Sequence, residues 1–143
     1  MHFTEKLNPW WLLRLGMAAM YLYSGIDLMR HPSNWYGYMP QGLADFIGRV
    51  MPMDAYVRMQ GAGELLIAFL LLAWFLGKWG ARIGSLLASL ELLFIVLIVG
   101  VDRITFRDLG LLGGALALVA ASWQEKQQEK RGDASPTNTT SYW

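Results

Sequence analysis

The chain has 143 residues, 55% of them hydrophobic and 16% charged, with a net charge of +1 and a mean hydropathy of +0.30, the balance of a membrane protein. Its basic residues are scattered, so a nucleic-acid partner has no support. With no cysteine, disulfides, thiol catalysis, iron–sulfur ligation and cysteine-based zinc sites are excluded, and two histidines, His2 at the terminus and His31 beside Pro32, do not make a haem pair between helices; no metal site is expected.

A helix needs about 20 mainly apolar residues to cross a bilayer, and four segments reach that length. The first, residues 9–29, reads PWWLLRLGMAAMYLYSGIDLM. Arg14 interrupts it and it is longer than a signal peptide's apolar region, so it is expected to stay as a span. Next comes a connection with Trp35, Tyr36 and Tyr38, side chains that favour the headgroup level. After Pro40, Leu43, Phe46, Ile47 and Val50 share one helical face, while Asp45 and Arg49 stand one turn apart, placed to pair, on another. That pattern predicts a short helix lying on the membrane. The second span, 54–77, opens on Asp54 as N-cap just after Pro52. Only a few residues around KWGAR lead to the third, 83–101, and only Asp102 and Arg103 to the fourth, 104–123, so these neighbours must be antiparallel. Beyond it the chain turns polar (QEKQQEKRGDASPTNTTSYW), and 125–143 is expected to be a disordered tail. The predicted fold is all-α: an integral membrane four-helix bundle, up-down-up-down, over 1–124, with an interfacial helix between spans one and two.

An even number of spans puts both termini on one side. Short basic loops stay in the cytoplasm, and the KWGAR turn therefore predicts cytoplasmic termini in a multi-pass protein of the inner membrane. A charge at the bilayer centre costs about 2.5 to 3.5 kcal/mol on insertion scales, so each buried charge needs a partner or a task. At a rise of 1.5 Å per residue, Glu91 falls about 12 Å and Arg14 about 7 Å from the cytoplasmic side, a placement that predicts a pair. Glu64, Asp27 and Asp108 fall towards the other side with Arg58 and Arg107. Glu64 and Asp108 are read as first-turn residues, where the helix dipole favours a carboxylate, with Arg58 or Arg107 neutralising Glu64. Asp27 is close enough to a span end to snorkel. Glu91 has no such excuse, and the choice is between a structural pair or hydrogen bond and a proton-handling or ligand-binding role.

Small residues complete the pattern. Gly110, Gly114, Ala117 and Ala121 make a stripe on the fourth span, and Gly84 with Ala88 leads to Glu91 on the third. Such spacing lets helices approach closely and is read as packing within the bundle ahead of homodimerisation, though an oligomer stays open. Gly61 and Gly63 leave room beside Glu64 for a backbone or a ligand.

RLGMAAMYLYSGIDLM in the first span, GAGELLIAFLLLAWF in the second and RDLGLLGGALALV in the fourth resemble the DoxX family of small four-span bacterial and archaeal membrane proteins, over residues 14–119. The matching positions are Arg14, Gly61 with Glu64, and Arg107 with Asp108; Glu91 is outside the pattern. The resemblance implies a link to the membrane subunit of a thiosulfate:quinone oxidoreductase and to membrane redox or thiol-stress assemblies. Quinone is then the one cofactor implied, and the partners are the lipid bilayer and a membrane or peripheral redox protein. Three functions result: a non-catalytic subunit or scaffold of a redox or envelope-stress complex; a quinone-linked oxidoreductase subunit using buried carboxylates; or a small transporter or lipid-binding protein whose cavity is lined by Glu64 and Glu91. Catalysis enters only in the second. Against transport stands the lack of an evident internal repeat.

Overall fold

Two prolines set where helices begin. Pro40 and Pro52 both hold extended backbone (ψ 137° and 139°), and helix starts directly after each. A computed structural model describes residues 9–100 and 105–133. Among these the chain is all-helical, with α1 (Pro9–Arg30), a 3-10 segment (Pro32–Tyr38), α2 (Gln41–Val50), α3 (Met53–Leu72), a 3-10 turn (Trp74–Leu76), α4 (Gly77–Val99) and α5 (Phe106–Asp133). Three stretches are long and apolar enough to cross a membrane: Met53–Leu72, Trp79–Val99 and Phe106–Gln124. α1 matches them in length with 22 residues, but its tryptophans, tyrosines, Arg14 and Asp27 dilute its apolar character, and it is not one of the three.

Several boundaries differ from the sequence reading. Pro52 occupies the N-cap of α3, and Asp54 sits inside the first turn, where the helix dipole still favours it. The turn between α3 and α4 falls at Ala73–Leu76 and not at KWGAR, which is already helix. Gly80 permits this: a Cβ there would lie 3.0 Å from the Leu70 carbonyl oxygen, so the first turns of α4 lie directly against the end of α3. α4 stops at Gly100, whose φ of 81° suits a glycine at a helix end. α5 runs on to Asp133 through part of the expected tail, because QEKQQEK contains only good helix formers. The rest of that tail, 134–143, and Asp102, Arg103 and Ile104 lie outside the described residues.

The long helices form a ring in which α1 packs on α3, α3 on α4, α4 on α5 and α5 on α1, with neighbours antiparallel. α1 and α3 approach most closely at Gly25 and Gly61, where a Cβ on either would come within 2.9 Å of the other's carbonyl oxygen. Gly84 lies against Leu70 and Leu71, and Ala88 is fully buried. The stripe on α5 divides: Gly114 packs on Leu13 and Met17 of α1, whereas a Cβ at Gly110, or at Gly113 next to the stripe, would meet nothing within 4 Å. The core holds Met17, Ala18, Tyr21, Ala68, Leu71 and Ala88, while large apolar side chains such as Leu66, Phe69, Leu90 and Leu97 point outward. Alanines at the helix contacts with large apolar side chains turned outward make an arrangement a bilayer favours. On α2, Ile47 is buried and Leu43 half-buried, Phe46 and Val50 are exposed, and Asp45 and Arg49, both exposed, form no ion pair among the described residues; in water such a pair is worth little.

The ring contains a repeat that the sequence reading did not register. WLLRLG opens α1 at Trp11, and WGARIG recurs at Trp79 in α4. In each, the arginine stacks on the tryptophan one turn earlier, at 4.3 Å for Arg14 on Trp11 and 5.9 Å for Arg82 on Trp79. Each arginine then forks through Nε and Nη2 onto a single carbonyl of the next helix. Arg14 donates to Leu71 of α3 at 3.0 and 2.7 Å, and Arg82 to Ser122 of α5 at 3.0 and 2.9 Å. The pairs α1–α3 and α4–α5 thus form two halves that share this tryptophan–arginine–carbonyl arrangement at the same end.

Candidate functional site

At the end of the bundle away from Arg14 and Arg82, the halves part around a cavity of about 300 Å³. Register decides what faces it. Gly84 packs on Leu71, so two turns on in α4 and two turns back in α3, Glu91 and Glu64 come level with each other. Both line the cavity.

Glu64 is only 6% exposed. The Ser24 hydroxyl of α1 lies within reach of its carboxylate, yet its Oε2 is buried with no hydrogen-bond partner. Glu91 is half-buried, and its Oε2 is likewise orphaned. Beside it stands Tyr21, whose hydroxyl donates to the Ala88 carbonyl at 3.3 Å. Leaving a buried acceptor unsatisfied costs about 1 to 3 kcal/mol, so two together at one level call for an explanation.

Rings and apolar side chains make up most of the remaining wall. α3 adds Tyr56 and Gln60, and α4 adds Phe94. The 3-10 segment covers the outer end with Trp35 and Tyr38, packed edge to face at 5.8 Å. Asp27 latches this cover: Oδ2 accepts from Trp35 Nε1 at 2.9 Å, and Oδ1 lies 3.0 Å from His31 Nδ1. Asp27 was expected to snorkel; it holds the roof instead.

The other expected pairings also change. Arg14 and Glu91 do not meet. The depth of Glu91 was counted from residue 83, but α4 starts at Gly77, which puts Glu91 about 21 Å from that end and beyond Arg14's reach. Arg14 serves a carbonyl in the last turn of α3, where a cation also suits the dipole. Glu64 is not a first-turn residue but lies about 16 Å into α3. Neither arginine expected to neutralise it does so: Arg58 donates to the Met29 carbonyl at the end of α1, and Arg107 Nε sits 3.8 Å from Asp108. Asp108 is in the first turn of α5, as expected, and with Arg107 lines the cavity's edge.

Tyr21, Ser24, Tyr56 and Gln60 were missed. A signal was present, because Tyr56, Gln60 and Glu64 recur every four residues and so form one polar stripe along an apolar helix. No group of three or more His, Asp or Glu able to hold a metal occurs among the described residues. No family model, curated protein or solved structure matches the chain.

Proposed function

We propose that the chain is a DoxX-like, four-span protein of the inner membrane that binds a small amphipathic molecule in the cavity between its two halves. The observation that carries this reading is Glu64, nearly fully buried with one oxygen unpartnered, in the wall of a largely apolar cavity of ligand size. Transporters built from repeats commonly place their sites between the repeats, and this cavity is lined from both α1–α3 and α4–α5. α1 is the fourth span: it packs along α3 and α5, shows Leu12, Leu15, Leu22 and Ile26 outward, and has its Arg14 charge served by Leu71 and Trp11. α2, with Phe46 and Val50 outward, lies in the outer interface.

The test is mass spectrometry of small molecules that copurify in mild detergent with the wild type and with Gln60→Phe, which fills the cavity. A molecule held by the wild type and lost from the variant is expected; identical bound molecules in both would refute a ligand site there.

A second reading, a subunit or scaffold of a redox complex, draws on the DoxX resemblance and on the open surface around Gly110 and Gly113, where another membrane helix could approach closely. Copurification of one stable membrane or peripheral partner would favour it. Quinone, the cofactor the resemblance implies, suits this cavity poorly. The orphaned atoms are acceptors and a quinone offers only further acceptors, so it could draw on donors such as the Tyr56 hydroxyl and the Gln60 amide but would leave Glu64 and Glu91 unmet. No redox step is assigned to these residues.

A further inference from the structure

The donors and acceptors around the cavity do not balance, and the imbalance has a direction. Trp35 Nε1 is engaged by Asp27. Arg107 stands beside Asp108. The Tyr21 hydroxyl donates to the Ala88 carbonyl, and Ser24 stands beside Glu64. The Tyr38 and Tyr56 hydroxyls and the Gln60 amide also line the cavity, but the buried side-chain atoms left without a partner among the described residues are two acceptor oxygens, one on Glu64 and one on Glu91, from two helices at one level. The group they lack is a donor with more than one hydrogen, and positive charge would meet both carboxylates at once.

We infer that the cavity's ligand is a protonated amine on a small apolar or aromatic body, its nitrogen held between Glu64 and Glu91. This rests on the reading of the cavity as a ligand site and adds the ligand's chemistry. An ammonium group has three donors and no acceptor, so it can satisfy both orphaned oxygens and still reach a third group, with Gln60 the nearest candidate on the same stripe. Charge-assisted hydrogen bonds are about twice as strong as neutral ones, and the low-dielectric surroundings add to them. The rest of the molecule meets Tyr21, Tyr56, Phe94 and Trp35, ring walls that accept an apolar body and attract a cation. An anionic headgroup would face two carboxylates, and a neutral alcohol brings one donor for two acceptors.

The test uses the full chain in detergent micelles at neutral pH, with thermal unfolding measured against 2-phenylethylamine, 2-phenylethanol and propylbenzene, probes of similar shape. The amine is expected to bind tenfold or more tighter than the alcohol, about the ratio one added charge-assisted bond produces. Glu64→Gln and Glu91→Gln, tested separately so that one failure to fold does not decide the matter, should each bring the amine down to the alcohol's affinity. Gln60→Phe should abolish all three shifts. Equal shifts for the three probes would overturn the amine assignment and leave the cavity as a ligand site. No shift with any probe, or shifts that survive Gln60→Phe, would overturn both.

Discussion

Replacing Glu64 with leucine should make the protein more stable. Were Glu64 half of a buried ion pair, removing it would strand the partner and cost about 3 to 5 kcal/mol. The described neighbours supply no such partner: Arg58 is on the Met29 carbonyl and Arg107 beside Asp108. Glu64→Leu instead removes an acceptor that is buried and unpartnered, a gain of about 1 to 3 kcal/mol, while the similar size of leucine limits strain. The loss set against this is the contact with Ser24, whose hydroxyl can turn back to a carbonyl of its own helix. Net stabilisation of about 1 to 2 kcal/mol is therefore expected, measured by reversible unfolding in mixed micelles followed by helical circular dichroism. Glu64→Gln keeps the shape and should stay within about 1 kcal/mol of wild type. A leucine variant that loses more than about 1 kcal/mol would refute the reasoning, since only a structural partner for the carboxylate explains such a loss.

Gly61→Ala and Gly63→Ala should differ in sign. At Gly61 the new methyl meets Leu28 Cβ at 2.8 Å and the Gly25 carbonyl at 2.9 Å, whereas at Gly63 it meets nothing within 4 Å; overpacking less the helix gain predicts a loss of about 1 to 2 kcal/mol at Gly61 against a gain of up to about 1 at Gly63. Unfolding midpoints that rank the two the other way would show that α1 and α3 do not approach there. Arg14→Ala should cost about 2 to 3 kcal/mol through the Leu71 carbonyl, and a double-mutant cycle with Glu91→Ala should be additive within about 0.5 kcal/mol; stronger coupling would mean the two side chains meet. Reporter fusions at residue 78 and at the C-terminus should both read cytoplasm and one at Gly37 the outside, and a cytoplasmic signal at Gly37 would remove α1 from the spans.

How far the sequence carried depended on what each feature needs. Apolar runs need no partner, so the long helices were legible, and so was α2 from Pro40 and the Leu43–Ile47 spacing. KWGAR was misread as a turn because its charge and glycines look like a loop, whereas Gly80 is there to let α4 lie close on α3. That error propagated. With α4 begun too late, Glu91 was placed at the wrong depth and given Arg14 as a partner. The QEKQQEK stretch was read by polarity, although its helix propensity was the better guide to a helix that runs on past its apolar part. Glu64 and Glu91 were both marked as candidates, but their meeting was not legible, since it depends on the α3–α4 register set at Gly84 and Leu71.

The repeat separates what holds the bundle together from what lines its cavity. Trp11 with Arg14 and Trp79 with Arg82 perform one task twice, each arginine forking onto a carbonyl of the neighbouring helix. At the other end the correspondence fails. Aligned on the two arginines, the counterpart of Glu91 in α1 is Tyr23, 77% exposed and facing outward. Aligned on the carbonyls they contact, the counterpart of Glu64 in α5 is Ala115, fully buried. Each half therefore gives one carboxylate, from non-equivalent positions, and the connection that roofs the cavity with Trp35 and Tyr38 belongs to the first half alone. Packing alone would be served equally well by two matching halves. A cavity between such halves would seat a ligand equally in two orientations, whereas one with Glu64 and Glu91 level on α3 and α4, and a roof from one side, would seat it in one. The asymmetry falls on the residues whose oxygens lack partners, where binding one kind of molecule in one orientation would require it.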